Sequence, residues 1–153
     1  MANKRRRFEL ALAPHALRAR TSFLVDRLAS LLRRQCTEQL RELRITMAHF
    51  AVLCSLEEFR KCCNSDLIRW TGIDGPRLIP ILNSLQSRLC LGRDREDADQ
   101  RRAELKLWPD GQELRALAEH ALEEAENEVF RALTLEERAL LRELLLRAVD
   151  RGG

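Results

Sequence analysis

The chain has no tyrosine, and only 6 Gly and 4 Pro among its 153 residues. So few turn formers and no tyrosine, in a chain rich in Leu, Arg, Glu and Ala, favour helices strongly over sheets. No apolar run approaches the roughly 20 residues that a membrane-spanning helix needs. The opening stretch MANKRRRFELALAPHAL lacks a signal-peptide core and cleavage site, so a cytoplasmic protein is expected. There are three histidines, His15, His49 and His120, on separate stretches, with no glycine-rich phosphate loop and no nucleophile motif. Catalysis, a bound cofactor and a metal centre are therefore not expected.

The cysteines also exclude more than they suggest. Cys36, Cys54, Cys62, Cys63 and Cys90 are odd in number and follow no framework spacing, which points to free thiols. Cys62 and Cys63 are adjacent, whereas zinc-binding cysteines are normally two to four residues apart.

What the chain has is leucine, arginine, glutamate and alanine, a helix-forming mixture that is 45% hydrophobic and 33% charged. The net charge is only +3, yet it is unevenly spread. Lys4, Arg5, Arg6, Arg7, Arg18, Arg20, Arg27, Arg33 and Arg34 make the front basic, while the segment after Pro109 is rich in glutamate. An anion-binding part and a separate acidic part follow from that asymmetry.

Apolar spacing lays out the elements. Leu17, Leu24, Leu28, Leu31 and Leu32 predict one long helix from Pro14 to about Arg41. Thr46 can cap a second helix with Met47, Phe50, Leu53 and Cys54 inward, and FRKCCN then reads as a polar connection. Asn64 or Ser65 caps a short helix that ends at Gly72, and Asp74 or Gly75 caps another that reaches about Arg88. LCLGRD and RAELKLW alternate enough to make a small β-hairpin. Pro109 opens a helix with Leu114, Leu117, Ala121, Leu122, Ala125 and Val129 inward, and Thr134 to Glu137 form a capping box before the last helix.

GIDGPRLIPILNSLQ holds two prolines four residues apart. Pro76 suits a first turn, where its missing N–H costs nothing. Pro80 falls opposite Leu78, Ile81 and Leu85, on the outer face, where it leaves core packing alone.

A short helix, a tight turn, a second helix and a basic-tipped hairpin together make a winged helix-turn-helix, a shape suited to duplex DNA. Arg77 is the best base reader, as a fork donor to a guanine edge. Gly75, Pro76, Ile79 and Pro80 share its end of the helix, and Asn83 and Ser84 lie near the DNA face as phosphate contacts. Asn64 and Ser65 either receive a phosphate or simply cap their helix. Arg95, Arg101 and Arg102 form the basic tip of the wing.

Residues 65–114 resemble the DNA-binding core of MarR-type transcriptional regulators. The resemblance is carried by Gly72-Ile73-Asp74 before the reading helix, by the Leu82/Leu85 spacing, and by Asp99-Gln100-Arg101 in the wing. It implies a mainly α protein with a β-hairpin wing and long dimerisation helices at both ends. Residues 1–13 would be a basic flexible arm and 14–153 a single domain. Within it, 14–45 and 109–150 would dimerise, and 46–108 would form the winged lobe. Asp99 would brace the wing while Arg101 faces DNA.

The implied function is a repressor that binds an inverted repeat as a homodimer and is released by a small aromatic or phenolic ligand, with His49 and Phe50 in the ligand pocket. The chain departs from the pattern at Leu89, where the family has glycine, and at Trp108, where it has threonine. Two alternatives stand beside this reading. One is a thiol-based oxidant sensor of the same fold, with Cys62 and Cys63 as accessible thiols near cations and a helix start. The other is a protein-interaction module that does not bind DNA.

Overall fold

The computed structural model describes residues 10–60, 62–94 and 104–150. A 3-10 turn over Leu10–Leu12 leads into a short helix α1, His15–Arg18. Then follow α2 (Thr21–Glu42), α3 (Met47–Phe59), α4 (Asn64–Thr71) and α5 (Gly75–Ser87). A hairpin of β1 (Leu91–Asp94) and β2 (Glu104–Leu107) precedes α6 (Pro109–Val129) and α7 (Leu135–Asp150). The expected mainly α winged helix-turn-helix is thus the observed one.

The long first helix is in fact broken. Arg20 takes an extended conformation and starts α2 without a side-chain cap, so Ala19 and Arg20 form a joint that no proline or glycine announces. At the end of the expected arm, Ala13 is buried and its N–H donates to the Leu10 carbonyl.

One core joins all the elements from α2 to α6. Leu40 of α2 meets Val52, Leu53 and Leu56 of α3, with Leu67, Leu78, Leu82, Leu85, Leu91, Leu105 and Ala118 around them. The inner face of α3 is therefore turned from the expected one. Val52 and Leu56 are buried, whereas Met47 is exposed and Cys54 only half-buried. In α6 the buried stripe is Leu114, Ala118, Leu122 and Ala125, and Leu117, expected inward, is 50% exposed.

Capping chemistry fixes the ends. Thr46 and His49 form a reciprocal box at the start of α3, with the Thr46 N–H donating to His49 Nδ1 at 3.3 Å. At α7, Thr134 N–H donates to Glu137 Oε2 (2.8 Å) and Glu137 N–H to Thr134 Oγ1 (3.2 Å). α5 ends in a Schellman turn, Cys90 N–H reaching the Leu85 carbonyl and Leu89 N–H the Gln86 carbonyl. That turn requires a left-handed residue, and Leu89 supplies it with φ 57°. The departure from glycine thus falls where a side chain is strained, at about 1–2 kcal/mol.

Candidate nucleic-acid interface

Two helices and a turn present the candidate surface. Gly72, at φ 69°, closes α4 in the left-handed region, and its N–H donates to the Ile68 carbonyl. Two residues later Asp74 caps α5, its Oδ1 accepting from Arg77 N–H at 3.0 Å. Ile73 is buried between them and holds the turn to the core.

α5 has two unlike faces. Leu78, Ile81, Leu82 and Leu85 are buried, while Pro76, Arg77, Ile79, Pro80 and Asn83 are exposed and Gly75 and Ser84 half-buried. The helix runs unbroken through Pro80, as expected from its outward position. Four buried aliphatic side chains are worth roughly 1.5–3 kcal/mol each, against about 3 kcal/mol for an interior proline. Packing wins.

The start of α4 corrects an expectation. The cap is Cys63, and Asn64 and Ser65 are the first two helical residues, both exposed. Cys63 N–H and Sγ both donate to Asp66 Oδ2, at 3.1 and 3.0 Å, and Cys63 Sγ lies 2.9 Å from Ser65 Oγ. Those bonds from Cys63 side chain and backbone hold the Asp66 carboxyl below its ordinary value.

Cys62 is a second correction. Within FRKCCN, expected as a polar connection, Cys62 is buried and forms a bridge to Leu105, whose N–H donates to the Cys62 carbonyl at 2.8 Å. Burial, then the neighbouring Asp66 and Cys63, push the Cys62 thiol up to about 11. A thiol in that state is the opposite of a reactive thiolate. Burial likewise raises Cys36, Cys54 and Cys90.

The wing is described at its base. Leu91 pairs with Leu107 and Gly92 with Lys106 in antiparallel register. Arg95, Asp99, Arg101 and Arg102 lie outside the described residues.

His49 and Phe50 are both half-buried, but the His49 ring is engaged by Thr46. Burial, and then the Arg88 guanidinium, lower its pKa. Neither of two grooves includes this pair. One, of 490 Å³, lies between α2, α6 and α7 and is lined by Leu32, Glu126, Phe130, Arg138 and Arg142 among others. The other, of 410 Å³, is lined by Leu56, Glu57, Arg60, Lys106, Leu107 and Gln112, where α3, β2 and α6 meet. Sequence reasoning missed this second groove, because its members come from three separate elements.

Among the described residues, no three His, Cys, Asp or Glu side chains gather as a metal site. No described helix is long and apolar enough to cross a membrane.

No family model and no curated protein matches the sequence significantly. Solved structures do. Bordetella bronchiseptica BpsR, described for regulation of its DNA binding by 6-hydroxynicotinic acid, is 25% identical with a TM-score of 0.75, over 90% of this chain and 99% of that one. The reduced form of Escherichia coli MarR is 25% identical with a TM-score of 0.71, over 84% and 96%. A mutant of the same MarR complexed with operator DNA is 26% identical with a TM-score of 0.70, over 83% and 91%. The helix order, the hairpin wing and near-complete coverage of each neighbour lead to one conclusion: the chain has the winged helix-turn-helix fold of the MarR-type regulators it resembles.

Proposed function

We propose that this chain is a DNA-binding transcriptional regulator, a repressor that grips an inverted-repeat operator as a homodimer and lets go when a small aromatic anion binds. One observation carries the reading: α5 buries one face completely and leaves Arg77, Ile79, Pro80 and Asn83 exposed on the other. A helix with that outward face, following a tight turn, is the part of a helix-turn-helix that enters a major groove. The structural likeness to a MarR–operator complex supports it.

Dimerisation is supported by leucines that the single chain leaves open. Leu24 and Leu31 of α2, Leu117 of α6 and Leu140, Leu144, Leu145 and Leu146 of α7 are all exposed, and α7 has no buried residue. A two-fold dimer presents two reading helices about one DNA turn apart, roughly 34 Å, hence a palindromic site.

For the ligand, the groove at the end of α3 has the fitting chemistry. Leu56 and Leu107 offer apolar walls, and Arg60 and Lys106 have no ion-pair partner among the described residues. An aromatic carboxylate matches both. The likeness to BpsR supports a ligand of that class.

The test is selection of bound duplexes from a random pool by the full chain. Enrichment of one inverted repeat is expected, and its release by 6-hydroxynicotinate should be weakened in Arg60→Ala/Lys106→Ala. Failure to retain any duplex at low salt would leave the protein-interaction module as the reading.

A further inference from the structure

Gly92 lies on the outward face of the hairpin, yet it is buried. The register shows why it should be outward. Leu91 pairs with Leu107 and both Leu91 and Leu105 are wholly buried, so residues 91, 105 and 107 share the inward face. Gly92 and its partner Lys106 then point away from the core, and Lys106 is exposed.

What covers Gly92 is the indole of Trp108. A methyl group placed on Gly92 would fall within the ring, against Cζ2 and Cε2. The Trp108 backbone is itself held on both sides. Its N–H donates to the Cys90 carbonyl at 2.9 Å, and its own carbonyl accepts from Gly111 (2.9 Å) and Gln112 (3.1 Å) in the first turn of α6. Gly111 is equally tight, with no room for a side chain beside the Cys90 carbonyl. The end of the reading helix, the base of the wing and the start of α6 therefore meet at one junction.

We propose that Trp108 is the positioning residue of the wing, its ring seated on Gly92 to fix the angle at which the hairpin leaves the lobe. This rests on the DNA-binding reading above. A hairpin of two short strands is marginal by itself, so its direction is set by what packs against its base. Leu91 and Leu105 hold the inward side and Trp108 holds the outward side, a clamp with two jaws.

Leverage makes the second jaw matter. Four strand residues rise about 13 Å in total, so a tilt of about 10° at the base displaces the strand ends by about 2 Å. That is enough to lose a hydrogen bond to a phosphate oxygen. Arg95, Arg101 and Arg102, the expected phosphate contacts, lie between β1 and β2 in the sequence, outside the described residues.

The experiment uses the full chain as parent, Trp108→Ala, Trp108→Phe and Gly92→Ala. Without DNA, limited trypsin digestion reads the wing: Trp108→Ala and Gly92→Ala should be cut between residues 94 and 104 several-fold faster, and Trp108→Phe at nearly the parent rate. With a random duplex, the slope of log affinity against log salt should be shallower by about one to two in Trp108→Ala, the loss of one or two phosphate contacts. Trp108→Phe should restore it. A merely destabilised protein would lose active fraction without changing that slope. Parent-like cleavage together with a parent-like slope in Trp108→Ala would overturn the proposal. If the parent binds no duplex, the DNA-binding reading falls, and the digestion alone decides whether Trp108 holds the wing.

Discussion

Arg88 Nη1 donates to the Leu43 carbonyl oxygen at 3.1 Å, tying the end of α5 to the end of α2 across 45 residues of sequence. The bond joins the helix proposed to read DNA to the helix that carries the exposed Leu24 and Leu31. It is exposed, so Arg88→Ala should cost only about 1 kcal/mol of stability in urea unfolding. Arg88 also helps to lower the His49 pKa, so the same variant should shift His49 upward in an NMR titration.

His49 gives the fold a pH dependence of known sign. Its folded pKa lies below the ordinary histidine value of 6.5, so between 6.5 and that lower value the unfolded chain binds more protons. Stability should therefore fall as pH drops through this window and level off below it. His49→Gln should flatten that part of the profile, measured by thermal unfolding from pH 7.5 to 5. An unchanged profile would show that the imidazole is not the group responsible.

Arg77 and the wing should separate on DNA. Arg77→Ala is expected to cost about 1–3 kcal/mol on the selected operator and to relax one base position per half-site. Arg95→Ala or Arg101→Ala should weaken operator and random duplex alike and reduce the salt slope by about one. Equal losses on both duplexes for Arg77→Ala would make it a phosphate contact.

Leu140→Glu/Leu144→Glu in α7 should convert a sedimenting dimer to monomer, since burial of such side chains stabilises by about 25 cal/mol per Å². Both positions are already exposed in the single chain, so the monomer should keep its helical circular dichroism. A parent that sediments as a monomer at micromolar concentration would contradict the two-fold arrangement.

Cys62 should be silent towards thiol reagents in the native state. With its pKa near 11, only about one thiol in a thousand is ionised at pH 8. Alkylation followed by mass spectrometry should leave Cys62 unmodified until denaturant is added. Rapid native modification would restore the oxidant-sensing alternative that its burial argues against.

The parts legible in sequence were those governed by local chemistry. Gly72, Asp74 and the Thr134–Glu137 box announce helix ends because their side chains or φ angles act within four residues. Cys63 was missed as a cap because a thiol rarely plays that part, although Asp66 three residues on was the available signal. The burial of Cys62 depends on Leu105, which lies far along the chain, and no local pattern reports such pairing. Leu117 obeys the helical period yet is exposed, for periodicity shows that a face is apolar and not what covers it. Leu89 shows the reverse case: a residue without the expected glycine still adopts the left-handed turn, because the Schellman bonds and the buried Leu85 impose it. Among candidate site residues, the outward set on α5 followed from spacing, whereas the groove of Arg60 and Lys106 needed three elements to be folded first.

The first turn of α5 carries one more implication. A helix start usually offers several unengaged amide hydrogens to a phosphate. Here Pro76 has none, Pro80 has none, and the Arg77 amide is taken by the Asp74 side chain. The Leu78 amide already bonds the Asp74 carbonyl, which leaves Gly75 as the first-turn residue able to offer its own. The main chain of this helix is therefore nearly mute towards an anion. If this helix is the proposed reader, whatever it says to a duplex, to a phosphate or to a base edge, must be spoken by side chains.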